Sequence, residues 1–208
     1  GRPRVMISFY RSFLVAADTK PITALFEAFE AKGFEVAAVF AASLKSPPAA
    51  KWIRKQIAEF RPDAIVNATA FSGKGKDGTS PLDAGGVPVF QAALSTSNRQ
   101  AWADSDRGLS PADLAMHAVL PEVDGRISGG ILSFKEPHAR DTHLEFARIA
   151  HSPDADRLSA LVARVQGWIS LAHKKPQSRR VALVMSTYPG KDWNLGHAVG
   201  LDAPASAR

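Results

Sequence analysis

The chain has 208 residues, 45% of them hydrophobic and 22% charged, the balance of an ordinary soluble globular protein with a sizeable core. It has no cysteine, which excludes disulfides and thiolate metal sites and is compatible with a reducing cytoplasm, and it carries neither an 18-residue apolar run nor a charged segment ahead of an apolar one, so no membrane span or signal peptide is predicted. The net charge of +6 arises from 26 Lys and Arg against 20 Asp and Glu, and its clusters at Lys51 to Lys55, Arg99 to Arg107 and Lys174 to Arg180 lack interleaved aromatics, so they read as solvated helix faces and a linker, with no nucleic-acid partner.

In chain order, Arg4 to Tyr10 reads as a buried strand. Pro21 to Lys32 follows as a helix with Ile22, Leu25, Phe26 and Phe29 at helical spacing, and Gly33 stops it before a second strand, Phe34 to Phe40. Pro48 to Phe60 is a further helix with Trp52, Ile53 and Ile57 on one face, and Asp63 to Ala68 and Pro88 to Ala92 are short apolar strands. The βαβαβ order predicts an α/β fold, a mostly parallel Rossmann/flavodoxin-like sheet flanked by helices. Between the last two strands, Phe71 to Gly86 is glycine-rich and polar and reads as one long loop at the carboxyl edge of the sheet, where open α/β sheets bind ligands. Arg11 and Ser12, Asn67 and Thr69, and Gln91 and Ser95 should converge on that crevice.

Farther along, Ser110-Pro111-Ala112-Asp113 has an N-cap serine, proline at the first helical position and an acid at the third, starting a short helix that should end at Pro121. Arg126 to Phe134 reads as a strand, and Ser152-Pro153 as the cap of a long helix with an apolar stripe from Leu158 to Ala172. These elements make up an α/β domain over residues 1–175. Over 176–208, a basic linker leads into Arg180 to Tyr188, which resembles the first strand and is expected to open a second, truncated α/β unit. The start at Gly1-Arg2 without Met and the stop at Arg208 read as cut ends of an internal piece.

The segment Leu109 to Ile127 sets Glu122 and Asp124 between Pro121 and a Gly125-Arg126 turn. Proline restricts Leu120 to an extended conformation and glycine permits a turn, so the carboxylates should ride on a constrained segment, as a mounted base would. Turn-capping and pairing with Arg126 is the structural alternative. Other chemistries are set aside. Gly73, Gly75 and Gly78 fit no nucleotide-binding pattern, no GxSxG occurs, and His138 and His143 are five apart, off the spacing of a helical metal pair; no protein metal ligands are predicted. His117 reads as a satisfied, partly buried histidine.

Taken in order, FYRS (Phe9 to Ser12), SPLDAGGVPVFQA (Ser80 to Ala92), SDRGLSPADLAM (Ser105 to Met116), LPEVDGRI (Leu120 to Ile127), LSFKE (Leu132 to Glu136) and VALVMSTYPGK with VGLDAPAS resemble the CobN/magnesium chelatase large-subunit family across essentially the whole chain. The resemblance implies an enzyme: part of a cytoplasmic, ATP-dependent cobaltochelatase that inserts Co²⁺, as substrate, into hydrogenobyrinic acid a,c-diamide in aerobic cobalamin synthesis. ATP and Mg²⁺ would be used by an AAA+ motor of two smaller subunits and not bound here, and the rest of the large subunit would complete the corrinoid cleft, leaving this piece inactive alone. Glu122 matches the glutamate of the family's PE-x-DG segment and is implied as the catalytic proton acceptor, with Asp124 as orienter or ligand. Arg11, Asn67, Gln91 and Arg126 are candidate substrate contacts. Trp193, Asn194 and Leu195 stand where relatives carry a glycine-arginine, and His117 where asparagine is expected, so neither place is assigned a role. The alternatives are a magnesium chelatase large subunit, inserting Mg²⁺ into protoporphyrin IX, and a non-catalytic α/β ligand-binding or scaffold module.

Overall fold

A computed structural model describes residues 1–185, 196, 200 and 202–207. Two compact units divide the chain, residues 1–170 and 171–208. In the first, β1 (Arg4–Tyr10), β2 (Glu35–Ala41), β3 (Ala64–Asn67), β4 (Val89–Leu94), β5 (Ile127–Pro137) and β6 (Ile149–Pro153) form one sheet in the order β2-β1-β3-β4-β5-β6. All neighbours pair in parallel except β5 and β6. The α/β expectation therefore holds. The antiparallel edge strand β6 was not foreseen, because the exposed hairpin ahead of it, HARDTHLEF, hides the return of the chain.

The helices are α1 (Arg11–Val15), α2 (Lys20–Ala31), α3 (Pro47–Phe60), α4 (Arg99–Ala103), α5 (Pro111–Leu114), α6 (Leu120–Val123) and α7 (Ala155–His173), of which the short α1 and α4 were unpredicted. Ile22, Leu25 and Phe29 of α2 join Leu161, Val162 and Val165 of α7 over one face of the sheet, against Val5, Ile7, Val66 and Phe90. On the opposite face Ile53 and Ile57 of α3 pack on Met6, Ile65 and Val89. Because successive strand residues point to opposite faces, β1, β3 and β4 must be largely apolar to serve both layers, and apart from Ser8, Asn67 and Gln91 they read as apolar runs.

Three local expectations are corrected. The segment expected to be a single loop contains a 3₁₀ turn at Pro81–Gly85: Ser80 Oγ accepts from Leu82 N–H and Asp83 Oδ2 accepts from Ser80 N–H, a cap embedded in the polar run. Ser152 and Pro153 belong to β6; Asp154 instead begins α7, accepting from Arg157 N–H at 3.2 Å. The helix that should stop at Pro121 continues into it. A wide π turn, Ala115–Val119, joins α5 to α6, Leu120 N–H bonds to Ala115 O, and Leu120 is helical (φ −66°, ψ −41°) rather than extended. Proline has no N–H to contribute, but in the first turn of α6 none is demanded of it.

The second unit contains the end of α7, a 3₁₀ turn at Pro176–Ser178 and a short helix, α8 (Ala203–Ser206), whose first turn is capped by Asp202 through Ala205 N–H at 3.0 Å. Of the strand expected from Arg180 to Tyr188, residues 180–185 form no regular element, and Ser186 to Tyr188 lie outside the described residues.

Candidate functional site

Side by side across β1, β3 and β4 runs a buried polar ladder. Ser8 Oγ donates to Asn67 Oδ1 at 2.7 Å, Thr69 donates to the same oxygen through N–H and Oγ, Asn67 Nδ2 donates to Gln91 Oε1 at 2.8 Å, and Gln91 Nε2 donates to Thr69 O at 2.6 Å. The two expected contacts Asn67 and Gln91 are thus brought side by side, 3% and 4% exposed, and use their amides on each other and on neighbouring strands. Strands of this composition can bury amides only because each is answered. Arg11, at the start of α1, is exposed.

The acidic turn is built differently. Glu122 lies exposed on α6, whereas Asp124, two residues on, is buried. Asp124 accepts from Ser72 Oγ at 2.7 Å and from Gly73 N–H at 2.6 Å, fastening the glycine-rich loop to the end of α6. Lys74 Nζ adds a bond to Val123 O at 3.1 Å. Arg126 donates through Nη1 to Asp83 at 2.5 Å, and its buried Nη2, 4.0 Å from Asp124 Oδ2, has no hydrogen-bond partner. Gly125 supplies the turn between them with φ +77°, a left-handed conformation that side chains resist. Asp124, Arg126 and Asp83 therefore form an alternating charge chain that fixes the turn. Glu122 alone presents its carboxylate outward, with no hydrogen bond or ion pair among the described residues.

A cavity of about 340 Å³ opens at the sheet's carboxyl edge. The strand order reverses direction between β1 and β3, the position where open α/β sheets form ligand crevices. Tyr10 and Ser12 enter it from the end of β1 and from α1, Thr96 from beyond β4, Lys135 from β5, His151 from β6 and His117 from the π turn. Neither Glu122 nor the expected contacts Arg11, Asn67 and Gln91 line it. Below it lies Asp113, fully buried, accepting from Ser95 Oγ, Thr96 N–H and Thr96 Oγ1 at 2.9–3.1 Å. His117 Nε2 stands 4.0 Å from Asp113 Oδ1. Contrary to the sequence expectation, His117 is not satisfied: its Nδ1 is buried without a hydrogen-bond partner.

Burial pushes the His117 imidazole below its ordinary value, opposed by the Asp113 charge. His151 is also lowered, first by burial and then by Lys135 and His117, against the pull of Asp18. Its Nδ1 lies 3.0 Å from Ser133 Oγ. Both rings are thereby biased toward the neutral form. Burial likewise raises the Tyr10 phenol, which donates to Ala70 O at 2.6 Å. The Asp113-to-His117 spacing of four residues, an acid and an imidazole on one helical face, was the signal in the sequence that could have found this cluster. His151 and Lys135 reach it only through strand pairing, which spacing does not reveal. Among the described residues no group of three or more potential ligands is arranged to hold a metal ion.

The family model for CobN/Magnesium Chelatase matches residues 1–208. The chain belongs to this family. The aerobic cobaltochelatase subunit CobN of a Sinorhizobium species is 38% identical over 98% of the chain and 16% of its own length, and that of Pseudomonas aeruginosa 37% identical over 100% and 17%. A magnesium-chelatase subunit from Cereibacter sphaeroides is 28% identical over 92% and 17%. Among solved structures, the catalytic subunit of cobaltochelatase from Mycobacterium tuberculosis superposes with a TM-score of 0.78 at 31% identity, covering all of this chain and 17% of that one. This CobN/magnesium chelatase chain thus spans about one sixth of the length of the relatives it matches.

Proposed function

We propose that this chain is part of the tetrapyrrole-binding large subunit of a cobaltochelatase, which inserts Co²⁺ into a corrinoid, hydrogenobyrinic acid a,c-diamide, with ATP hydrolysed by a separate motor of two smaller subunits. The observation that carries this reading is the closer similarity to the cobaltochelatase relatives, 37–38% against 28% for the magnesium-chelatase relative, sustained along the whole chain. Insertion of a metal into a tetrapyrrole requires that ring-nitrogen protons be taken up and that the ion exchange its water for new ligands. Glu122 suits the first task. Its carboxylate has no partner among the described residues, and the segment beneath it is held by Asp124, Arg126 and Asp83. Asp124 then acts as a positioning residue, and so does Arg126, since both are spent on the turn. Asn67 and Gln91 support the floor of the crevice through their ladder, and exposed Arg11 is the member of the set able to reach a substrate carboxylate from outside it.

The test uses the full-length polypeptide with its motor subunits, supplied with cobalt and corrinoid, or with magnesium and protoporphyrin IX. Insertion is expected for the first pair only; insertion of magnesium into protoporphyrin IX instead would transfer the chain to the other branch. Glu122→Gln is expected to abolish cobalt insertion while corrinoid binding and ATP hydrolysis persist, and an unchanged insertion rate would remove Glu122 from the mechanism.

A further inference from the structure

We propose that a second cavity, between α3 and the glycine-rich loop, binds the phosphoryl group of a small organic phosphate ester through Lys45, Arg54 and Lys76. All three residues line this one cavity. At about 520 Å³ it lies within the range of small-molecule sites, roughly 300–1,000 Å³.

The three cations come from separate elements: Lys45 from the connection between β2 and α3, Arg54 from α3, and Lys76 from the glycine-rich loop. Like charges gathered on one concave wall repel one another unless an anion answers them. Lys45 and Lys76 have no ion-pair partner among the described residues. Arg54 donates through Nη2 to the neutral Thr79 hydroxyl at 3.1 Å, which anchors the guanidinium without neutralising it. Asp77 is the one carboxylate on the wall, and both its oxygens are engaged, Oδ1 accepting from Thr79 N–H at 3.0 Å and Oδ2 from Thr79 Oγ1 at 2.9 Å.

Three cations against one carboxylate leave a surplus that a phosphate monoester, with about two negative charges, neutralises and a single carboxylate only halves. Phosphate also matches the guanidinium fork of Arg54. The wall is preformed, because the turn that carries Lys76 is closed by Gly75 N–H to Thr79 O at 2.9 Å and Gly78 N–H to Gly75 O at 3.1 Å. Upstream, Asp124 holds the same loop through Gly73. Leu44, Pro47 and Pro81 add an apolar surface against which the organic body of an ester can lie.

The inference goes beyond the chelatase reading, since the corrinoid proposed there carries acids and amides and no phosphate. It is tested with the full-length polypeptide by titration calorimetry, using phenyl phosphate, inorganic phosphate and benzoate as probes above the second phosphate ionisation, at about pH 6. Phenyl phosphate is expected to bind severalfold more tightly than benzoate, which has less charge, and than inorganic phosphate, which lacks the apolar body. Arg54→Gln should weaken phenyl phosphate about tenfold, and Lys45→Met and Lys76→Met severalfold each. The two lysine side chains have no hydrogen bond or ion pair to lose among the described residues, so their variants report binding even where Arg54→Gln disturbs the loop. Lys51→Met, on the exposed side of α3 and outside the cavity lining, should leave the affinity unchanged. Benzoate or inorganic phosphate binding as tightly as phenyl phosphate would overturn the proposal. So would an affinity indifferent to all three cavity substitutions, or an equal loss with Lys51→Met. No metal, corrinoid or motor enters this measurement, so its failure is separate from a failure of insertion.

Discussion

The ladder inside the sheet and the acidic turn after α6 both place polar side chains near the carboxyl edge, yet they spend them in opposite ways. In the ladder, Ser8, Asn67, Thr69 and Gln91 are buried and turned toward one another. In the turn, Asp124 and Arg126 are buried and tied down, and Glu122 on α6 has no partner among the described residues. A polar residue at a sheet edge is therefore a candidate for chemistry only when its neighbours have taken over the structural bonding.

Substitutions can break this contrast. Asp124→Ala should have the largest effect, about 3 kcal/mol lost in denaturant unfolding, because it strips Ser72, Gly73 and Arg126 of a buried anion. The loss stays at the low end of the range for a broken buried pair, since Arg126 retains Asp83. Asn67→Leu should cost less, about 2 kcal/mol in all, because Ser8 Oγ and Gln91 Oε1 each lose one partner while Gln91 keeps its bond to Thr69 O. A cost near zero would mean that water replaces the amide. Gly129→Ala tests the strand pairing that carries both regions: a Cβ there would stand 2.7 Å from Gln91 O, and overpacking of this kind costs about 1–3 kcal/mol in the same assay.

A smaller effect should appear with pH. Burial lowers the folded-state values of His117 and His151 below the ordinary 6.5, so the unfolded chain binds more protons as the medium turns acidic. Stability is expected to be full above that value and to fall as pH drops below it, and His117→Asn should flatten the fall, as read from unfolding midpoints across the acidic range. Smallest of all, Glu122→Gln should leave the unfolding midpoint unchanged. A marked shift would place Glu122 with Asp124 among the residues that hold the turn.

The strands and long helices were legible because their signal is periodic and local: β1 begins and ends where its apolar run does, and α2 and α3 follow the 3.6-residue spacing of Ile22, Leu25 and Phe29, and of Ile53 and Ile57. That LPEVDGRI carries a turn at Gly125 was also legible, but not the rest of its geometry. Proline was expected to stop the helix, whereas the π turn shifts the hydrogen bonding so that proline falls where no donor is needed. The sign of burial was hidden as well, since nothing in Glu122-Val123-Asp124 distinguishes the carboxylate that faces outward from the one that fastens Ser72 and Gly73.

By itself, then, the sequence determined the α/β class, a crevice at the carboxyl edge and a family resemblance running along its whole length. Tertiary structure alone decided which side chains meet. It paired β6 with β5, set Lys135 and His151 beside His117, and spent Asn67, Gln91 and Asp124 on internal bonds. The physical reason is that helix and strand periods are written between near neighbours, whereas the partners of a buried polar atom lie tens of residues away and are fixed only when the sheet closes over them.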